Sequence, residues 1–197
     1  IAVEYRAGDD AVTVWSSTQT PHRARASFAA ILQVDPARIR VIAPDVGGAF
    51  GMKASVYPEE VLAVWAALHL RRPVRWVATR GEEFVSATQG RGLVTRGRLA
   101  VGPDGRFRAL EAEASGETGH WLATSALVPP YNAARVLPSG YDVPALDIRA
   151  ASCRSAAPPV GIYRGAGRPE GVLLMERLVD RAAALTGLDR MEIRRRN

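Results

Sequence analysis

Hydrophobic and polar positions follow two different periods along this chain, and the change falls near residue 90. Before it, short apolar runs that suit strands alternate with a helical pattern. Strands are predicted over 1–5, 13–16 and 38–42. Thr20 and Pro21 mark the start of a helix between the last two strands, because a cap residue followed by proline favours a first helical turn. The apolar face predicted for this helix consists of Ala24, Phe28, Ile31 and Leu32.

A second helix is predicted from Pro58, where two glutamates suit the positively polarised end of a helix. It ends at 71–73, where two arginines precede a proline. The apolar face predicted for it consists of Val61, Trp65 and Leu68. A strand over 74–78 follows, and then a short helix that Thr79 caps together with Glu82. This first part of the chain is therefore predicted to be α/β.

Strict alternation of apolar and polar residues begins at Leu93 and predicts a β-hairpin. Its strands cover 93–101 and a second run up to residue 115, joined by the turn 102–105. A shift of phase in the second strand predicts a bulge between Ala109 and Leu110. The stretch 116–141 is predicted to be irregular, because its prolines break regular elements.

The C-terminal part predicts one strand and two helices. The strand covers 145–152, and Pro169 begins a long helix that ends at Gly187. The apolar stripe predicted for this helix consists of Val172, Met175, Leu178, Val179 and Ala182. Asp189 begins a final short helix. Together the elements predict an α/β (α+β) fold of mixed sheets with packed helices, as one domain over 1–197 or as two lobes, 1–90 and 91–197.

Composition and charge exclude some classes of function without selecting one. The chain has 197 residues, 47% hydrophobic and 23% charged, which is ordinary for a globular protein. Its formal net charge is +6, but the arginines are scattered over helices, strands and turns, which disfavours a nucleic-acid-binding stripe. No apolar run reaches the roughly twenty residues that a membrane span needs. The chain begins at Ile1 within a strand pattern, so we expect a piece of a longer subunit.

Cys153 is the only cysteine, which excludes an internal disulfide and any zinc or iron–sulfur site built from cysteines of this chain. A reducing, cytoplasmic location fits this cysteine usage best. The histidines lack the spacing of metal ligands, so we predict no side chain that binds a metal.

A glycine-rich loop over 46–53 follows the strand predicted at 38–42 and carries an aromatic residue, Phe50, between its glycines. Glycines permit positive φ and remove side chains, so the N–H groups of such a loop can face an anionic or oxo-bearing ligand. The loop is not a Walker A loop, because Met52 separates Lys53 from the preceding glycine, and its glycines lack the spacing of a dinucleotide-binding loop. Two interpretations stay open from the loop alone: a ligand cradle, or a tight turn with Phe50 in the core.

Two further segments carry candidate chemistry. The segment 162–170 holds Arg164 and Arg168 and leads into a helix, and guanidinium groups at a helix start suit the oxygen atoms of an anion. The segment 17–22 ends a strand and holds Gln19, whose amide can donate a hydrogen bond to an oxo group. Together with the glycine loop, these segments indicate a large anionic cofactor.

The segments 17–22, 46–53 and 163–170, in this order, resemble the signatures of the molybdopterin-binding large subunit of the xanthine dehydrogenase/aldehyde oxidase family, the molybdenum hydroxylases. The closing segment 192–197 also fits, and the resemblance covers essentially the whole chain as the first cofactor-binding domain of that subunit. It implies a molybdenum–molybdopterin cofactor, with the cytosine dinucleotide form as one variant. It also implies hydroxylation of a substrate carbon with water, with electrons passing to iron–sulfur (2Fe-2S) and FAD centres in partner subunits or domains.

The resemblance also implies roles for single residues. Gln19 is expected near the oxo ligand of the molybdenum, and Arg164 on the substrate side. The metal is held through the pterin. The general base is expected in a second cofactor-binding domain of the same subunit, outside this chain, so the chain alone is expected to be inactive. The residues implied at the cofactor are Gln19, Gly47, Gly48, Phe50, Gly51 and Arg164.

Two positions argue against particular classes of substrate within that family. Gly165 stands where its carbon monoxide dehydrogenases have a copper-binding cysteine, and Ala54 stands where its purine hydroxylases usually have a glutamate. We therefore expect an aldehyde or an N-heteroaromatic substrate. A non-catalytic cofactor-binding or interaction domain that keeps the fold is the alternative hypothesis, and nucleic-acid binding ranks last.

Overall fold

The computed structural model describes residues 1–197, which form two units. The first unit comprises residues 1–88 and 123–125, and the second comprises 89–122 and 126–197. Each contains a sheet with both parallel and antiparallel pairs and its own helices, which confirms the predicted fold class. No helix combines the length and the apolar character needed to cross a bilayer.

The first unit is built on a four-stranded sheet in the order β3-β2-β1-β4. Its strands are β1 Ala2–Arg6, β2 Ala11–Trp15, β3 Ile39–Ile42 and β4 Val74–Arg75, and its helices are α1 Pro21–Leu32, α2 Pro58–Leu70 and α3 Arg80–Ser86. Strand β2 pairs with β3 in parallel, while β1 pairs antiparallel with both β2 and β4. Because parallel strands end at the same edge, the segments that follow β2 and β3 leave the sheet side by side.

The core of this unit lies between the sheet and the helices α1 and α2, and its buried residues include Val12 and Val14 of β2, Phe28 of α1 and Val64 of α2.

The apolar face predicted for α2 is confirmed for Val61 and Leu68, which pack against this core, and wrong for Trp65. The fully buried residues of α2 are Ala63, Val64 and Ala67. Trp65 is 48% exposed and stacks on the ring of His69. Nearly every position of α2 is apolar, so the pattern did not show that Trp65 lies outside the buried face, where alanines allow the closest approach to the sheet.

Helix α1 begins at Pro21 as predicted, but Thr20 does not cap it through its side chain. The Thr20 hydroxyl donates instead to the carbonyl of Ala54 at 3.2 Å, which ties the start of α1 to the end of the glycine loop. Ala24 and Phe28 are buried as expected, whereas Ile31 is exposed. The cap between Thr79 and Glu82 at the start of α3 is confirmed. The strand predicted over 74–78 pairs with β1 through Val74 and Arg75, which lie opposite Val3 and Ala2.

The second unit holds a three-stranded sheet in the order β5-β6-β7. Its strands are β5 Leu93–Val101, β6 Phe107–Glu117 and β7 Leu146–Cys153, and its helices are α4 Val128–Val136, α5 Arg168–Thr186 and α6 Arg190–Arg196. Strands β5 and β6 form the predicted antiparallel hairpin, and β7 joins β6 in parallel. The buried residues of its core are Phe107, Leu110, Ala112, Leu137, Val143, Met175, Val179, Ala182, Ala183 and Ile193.

Two predictions for this unit are wrong. Helix α4 lies within the stretch predicted to be irregular, since Pro129 and Pro130 occupy its first turn, where backbone N–H groups need no partner inside the helix. The bulge of the hairpin also lies elsewhere. The pairing passes from Ala100 with Ala109 to Val101 with Phe107, so Arg108 is the extra residue.

Candidate functional site

The glycine loop of the first unit has a backbone conformation that residues with side chains rarely adopt. The φ angles of Gly47, Gly48 and Gly51 are +71°, +107° and +106°, and Phe50, which has a side chain, has a φ of +50°. Phe50 is 61% exposed, so the interpretation of a tight turn with this ring in the core is wrong. A left-handed non-glycine residue costs roughly 1–2 kcal/mol, and such strain is concentrated at functional sites. The loop leads into a 3₁₀ turn, Met52–Ala54, and α2 begins at Pro58, as predicted.

Gln19 and the glycine loop meet in the first unit. The backbone N–H of Gly51 donates to Oε1 of Gln19 at 3.1 Å. The backbone N–H of Gln19 in turn donates to the carbonyl of Lys53 at 3.1 Å. Because an N–H needs an acceptor, the amide oxygen faces the loop and the Nε2 group faces away, where it donates to no protein atom. The exposed Gln19 is therefore held in one orientation with two donors available to a ligand.

Lys53 closes the glycine loop on itself. Its Nζ donates to the carbonyl of Val46 at 2.7 Å and to Oγ of Ser17 at 2.8 Å, and the Ser17 hydroxyl donates to the same carbonyl at 3.3 Å. The hydroxyl of Thr18 donates to the carbonyl of Lys53 at 3.2 Å. The single lysine of the chain therefore fastens the two ends of the loop together.

Tyr57 supports the 3₁₀ turn after the loop. Its hydroxyl donates to the carbonyl of Met52 at 2.9 Å, and burial raises the pKa of this phenol, which keeps it protonated as a donor. Glu60 accepts from the backbone N–H of Tyr57 at 3.1 Å and from the Ser16 hydroxyl at 2.7 Å, so it is a helix-start carboxylate, as its position suggests. A cavity of about 310 Å³ lies beside these residues.

The second signature loop belongs to the second unit, and it also has a left-handed backbone. The φ angles of Gly165, Ala166 and Gly167 are +93°, +47° and +91°. A Cβ atom at Gly167 would overlap the carbonyl oxygen of Pro129, so only glycine fits between this loop and the start of α4. A Cβ atom at Gly165 would lie 2.7 Å from Cδ of Pro169.

Arg91 contacts three residues of this second loop. Its guanidinium donates to the backbone carbonyl of Arg164 and to the carboxylate of Glu170, at 3.3 Å, and it lies 4.7 Å from the centre of the Tyr163 ring. No sequence motif pointed to Arg91, since it follows a short polar stretch before the hairpin. The geometry adds Arg91, Ser17 and Lys53 to the residues that shape the two loops.

The predicted site residues thus occupy both units. Gln19 and the loop residues Gly47, Gly48, Phe50 and Gly51 come together in the first unit, and Arg164 lies in the second.

The loop of the first unit fits a large ligand with oxygen or sulfur acceptors. A Cβ atom at Gly47 would meet no atom within 4 Å, and one at Gly48 would meet only the Phe50 ring at 3.5 Å, so the space before the glycines is open. The bare backbone and the outward amide of Gln19 can both reach a group placed there. The chain has no group of three or more His, Cys, Asp or Glu side chains placed to bind a metal ion.

Known proteins match the whole chain. A family described as the molybdopterin cofactor-binding domain matches residues 1–197. The chain is 34% identical, over 98% of its length and 24% of the relative, to the nicotine 6-hydroxylase large subunit of Paenarthrobacter nicotinovorans. It is 31% identical, over 94% of its length and 24% of the relative, to the carbon monoxide dehydrogenase large chain of Hydrogenophaga pseudoflava.

Solved structures also share this fold. The crystal structure of quinoline 2-oxidoreductase from Pseudomonas putida 86 superimposes with a TM-score of 0.92 at 36% identity, over 100% of this chain and 25% of that one. The chain spans about a quarter of the length of these relatives.

Proposed function

The chain belongs to the molybdopterin cofactor-binding domains of the molybdenum hydroxylase large subunits, and we propose that residues 1–197 form one side of a molybdenum–molybdopterin site. The family expected from the three signature segments is thereby confirmed. The single observation that carries the proposal is the loop 46–51 with its open left-handed backbone, which Gln19 and Lys53 hold in place. The rest of the site lies in another part of the subunit, so residues 1–197 alone are inactive.

The molybdenum cofactor, when bound, supplies the redox chemistry by which a substrate carbon is hydroxylated with water. The residues of this chain bind and orient. Gln19 offers its Nε2 donors to an oxo group, and the N–H groups of Gly47 and Gly48 offer further donors, while the N–H of Gly51 holds Gln19. Phe50 holds an exposed ring at this surface, which excludes water from one side of the ligand. Arg164 lies on the substrate side, as the resemblance implies.

We infer an N-heteroaromatic substrate, with an aldehyde as the second candidate. Two relatives of at least 34% identity are named for nicotine and quinoline, both N-heteroaromatic compounds. Gly165 argues against a copper-linked site, because any side chain there would have a left-handed φ and a Cβ atom only 2.7 Å from Pro169. Ala54 is buried and carries no carboxylate, which disfavours purine recognition at that position.

We also propose how this domain works within a larger enzyme. Partner subunits or domains hold the 2Fe-2S and FAD centres that take the electrons. A second molybdopterin-binding domain of the same subunit completes the site, and the cofactor carries the cytosine dinucleotide form. The exposed free thiol of Cys153 supports a cytoplasmic location.

The test is made on the full-length subunit assembled with its partners. Molybdenum and pterin contents are measured, and the purified complex is assayed with quinoline, nicotine and benzaldehyde and an artificial electron acceptor. We expect about one molybdenum per large subunit and faster hydroxylation of the heteroaromatic compounds. A complex without molybdenum and without turnover would contradict the proposal and favour a non-catalytic domain that keeps the fold.

A further inference from the structure

Arg91 is held close to the second signature loop by the backbone that precedes it. The backbone N–H of Gln89 donates to the carbonyl of Pro159 at 2.8 Å, and the N–H of Gly161 donates to the carbonyl of Gln89 at 2.9 Å. These bonds form an isolated parallel bridge between Gln89 and Val160. The segments 89–91 and 159–161 are therefore fixed to each other immediately before the loop 162–170.

The next two residues bring the guanidinium onto the loop. A Cβ atom at Gly90 would lie 2.6 Å from Cβ of Tyr163, so glycine allows the two backbones to approach closely. Arg91 has a left-handed φ of +68°, a conformation that is costly for a residue with a side chain. Strain of this kind persists where surrounding contacts compensate for it, and the contacts of Arg91 are all made with the loop.

Three different groups of the loop contact one guanidinium. One terminal nitrogen of Arg91 donates to the carboxylate of Glu170, and the other donates to the backbone carbonyl of Arg164. The flat face of the group lies 4.7 Å from the centre of the Tyr163 ring. Glu170 is only 14% exposed, so its pairing with Arg91 is partly shielded from water. A planar fork that also stacks on an aromatic ring is specific to arginine.

The contacts of Arg91 lie on either side of the left-handed residues of the loop. Residues 165–167 have three successive left-handed φ angles, and two of them belong to glycines, whose unfolded states are numerous. Arg91 fastens the backbone immediately before them, at Arg164, and also binds Glu170 in the first turn of α5. Arg91 therefore contacts the chain on both sides of residues 165–167.

We propose that Arg91 is a positioning residue that fixes the backbone of Arg164 and so sets where the Arg164 side chain meets the substrate. This inference rests on the proposed function for the substrate-side role of Arg164. Arg91 itself acts through Arg164, Tyr163 and Glu170.

The experiment uses the full-length subunit assembled with its partners. The variants are Arg91→Ala and Arg91→Lys, and the control is Arg98→Ala, which removes an arginine of the same unit that is 85% exposed and lies 3.6 Å from Glu111. Hydrogen exchange of the peptide 162–170, molybdenum content, and kcat and KM for quinoline are measured for each. If Arg91→Ala does not fold, Arg91→Lys and Glu170→Gln carry the same test.

We expect Arg91→Ala to speed exchange in residues 163–167 by about tenfold, and to raise the KM for quinoline by about fivefold or more with a smaller effect on kcat. Molybdenum content stays within about twofold of the wild type, because the loop at Gly47–Gly51 is untouched. Arg91→Lys keeps the charge and a donating nitrogen but loses the planar fork, so it recovers part of both effects. Glu170→Gln produces a smaller change in the same direction.

Two results separate the two proposals. A wild-type complex without molybdenum would overturn the proposed function, whatever the variants do. Normal molybdenum and turnover in the wild type, with Arg91→Ala equal to Arg98→Ala in exchange and in KM, would overturn the role of Arg91 alone.

Discussion

The side chain of Gln19 accepts a hydrogen bond from the backbone N–H of Gly51 at 3.1 Å, across a separation of 32 residues. The bond gives the Gln19 amide one orientation, with the oxygen toward the loop and the nitrogen outward. An amide fixed in this way offers donors without reorganising when a ligand arrives, which is the property that makes such donors effective.

The orientation of Gln19 predicts the effect of changing its donor. Gln19→Glu keeps an oxygen for the N–H of Gly51 but removes the Nε2 donors, so we expect molybdenum content near the wild-type value and kcat lower by at least about tenfold. Both quantities are measured on the full-length complex. The matched control is Gln33→Glu, at an exposed glutamine of the same unit. Equal kcat for the two variants would contradict the role of Gln19.

Lys53 provides a prediction about the stability of the loop. Lys53→Met keeps the length of the side chain but removes the bonds of Nζ to Ser17 and to the Val46 carbonyl. We expect the free energy of opening at residues 46–51 to fall by about 1–2 kcal/mol, since hydrogen bonds to charged groups contribute in this range. The amides of these residues then exchange faster. Arg23→Met, at an exposed position of α1, is the control. Unchanged exchange in the loop would show that Lys53 does not hold it.

The glycines at the two ends of α5 provide a matched pair. Gly167, with a φ of +91°, precedes the helix and leaves no room for a Cβ atom, whereas Gly187, with a φ of +72°, follows it and faces open space. Gly187→Ala introduces backbone strain alone, for which we expect a loss of about 1–2 kcal/mol. Gly167→Ala adds the overlap with Pro129 and is expected to lose more than about 3 kcal/mol. Equal losses of thermal stability in the two variants would contradict this explanation.

The junction of α5 and α6 predicts a pH dependence. Hydrogen bonds from Tyr141 and Arg194 lower the pKa of Glu176, although burial alone would raise it, and hydrogen bonds from Arg194 and Arg190 lower the pKa of Asp180. A depressed carboxyl pKa stabilises the folded state above the unfolded pKa, and the stabilisation is lost as the pH falls through the folded pKa. The second unit is therefore expected to lose stability as the pH falls below about 5.

The measurement is the midpoint of thermal unfolding between about pH 3 and pH 8. Glu176→Gln removes the carboxylate, so we expect a lower midpoint near pH 7 and a shallower fall on the acid side. Glu117→Gln, at an exposed position of β6, is the control. If the midpoint falls as steeply with decreasing pH in Glu176→Gln as in the control, Glu176 is not a source of the pH dependence.

Local signals in the sequence predicted much of this fold. Capping pairs such as Thr79 with Glu82 act over one turn, and the hairpin of β5 and β6 follows from alternation, so both were visible without tertiary information. The exposure of Trp65 in α2 and the start of α4 were not predicted. In α2 the apolar residues surround the helix, and at Pro129 the same residue type that breaks a helix also begins one.

In the candidate site, Gln19, Phe50 and Arg164 are recognised from the sequence because they lie within signature segments, and their roles stay predictions. Lys53 and Arg91 donate to carbonyl groups that lie 7 and 73 residues away along the chain, and no sequence pattern records which carbonyl a cation will reach. For this reason the residues that hold the loops emerged only from the structure.

The parallel pairing of β2 with β3 determines what closing the glycine loop costs in entropy. A parallel pair requires a crossover, and here the chain makes it through α1. Two of the bonds that hold the loop join residues 32 and 36 positions apart, so the loss of entropy on closing that length of chain opposes them. The loop is therefore not a local turn, since it depends on the sheet that brings the segments 17–19 and 46–53 together.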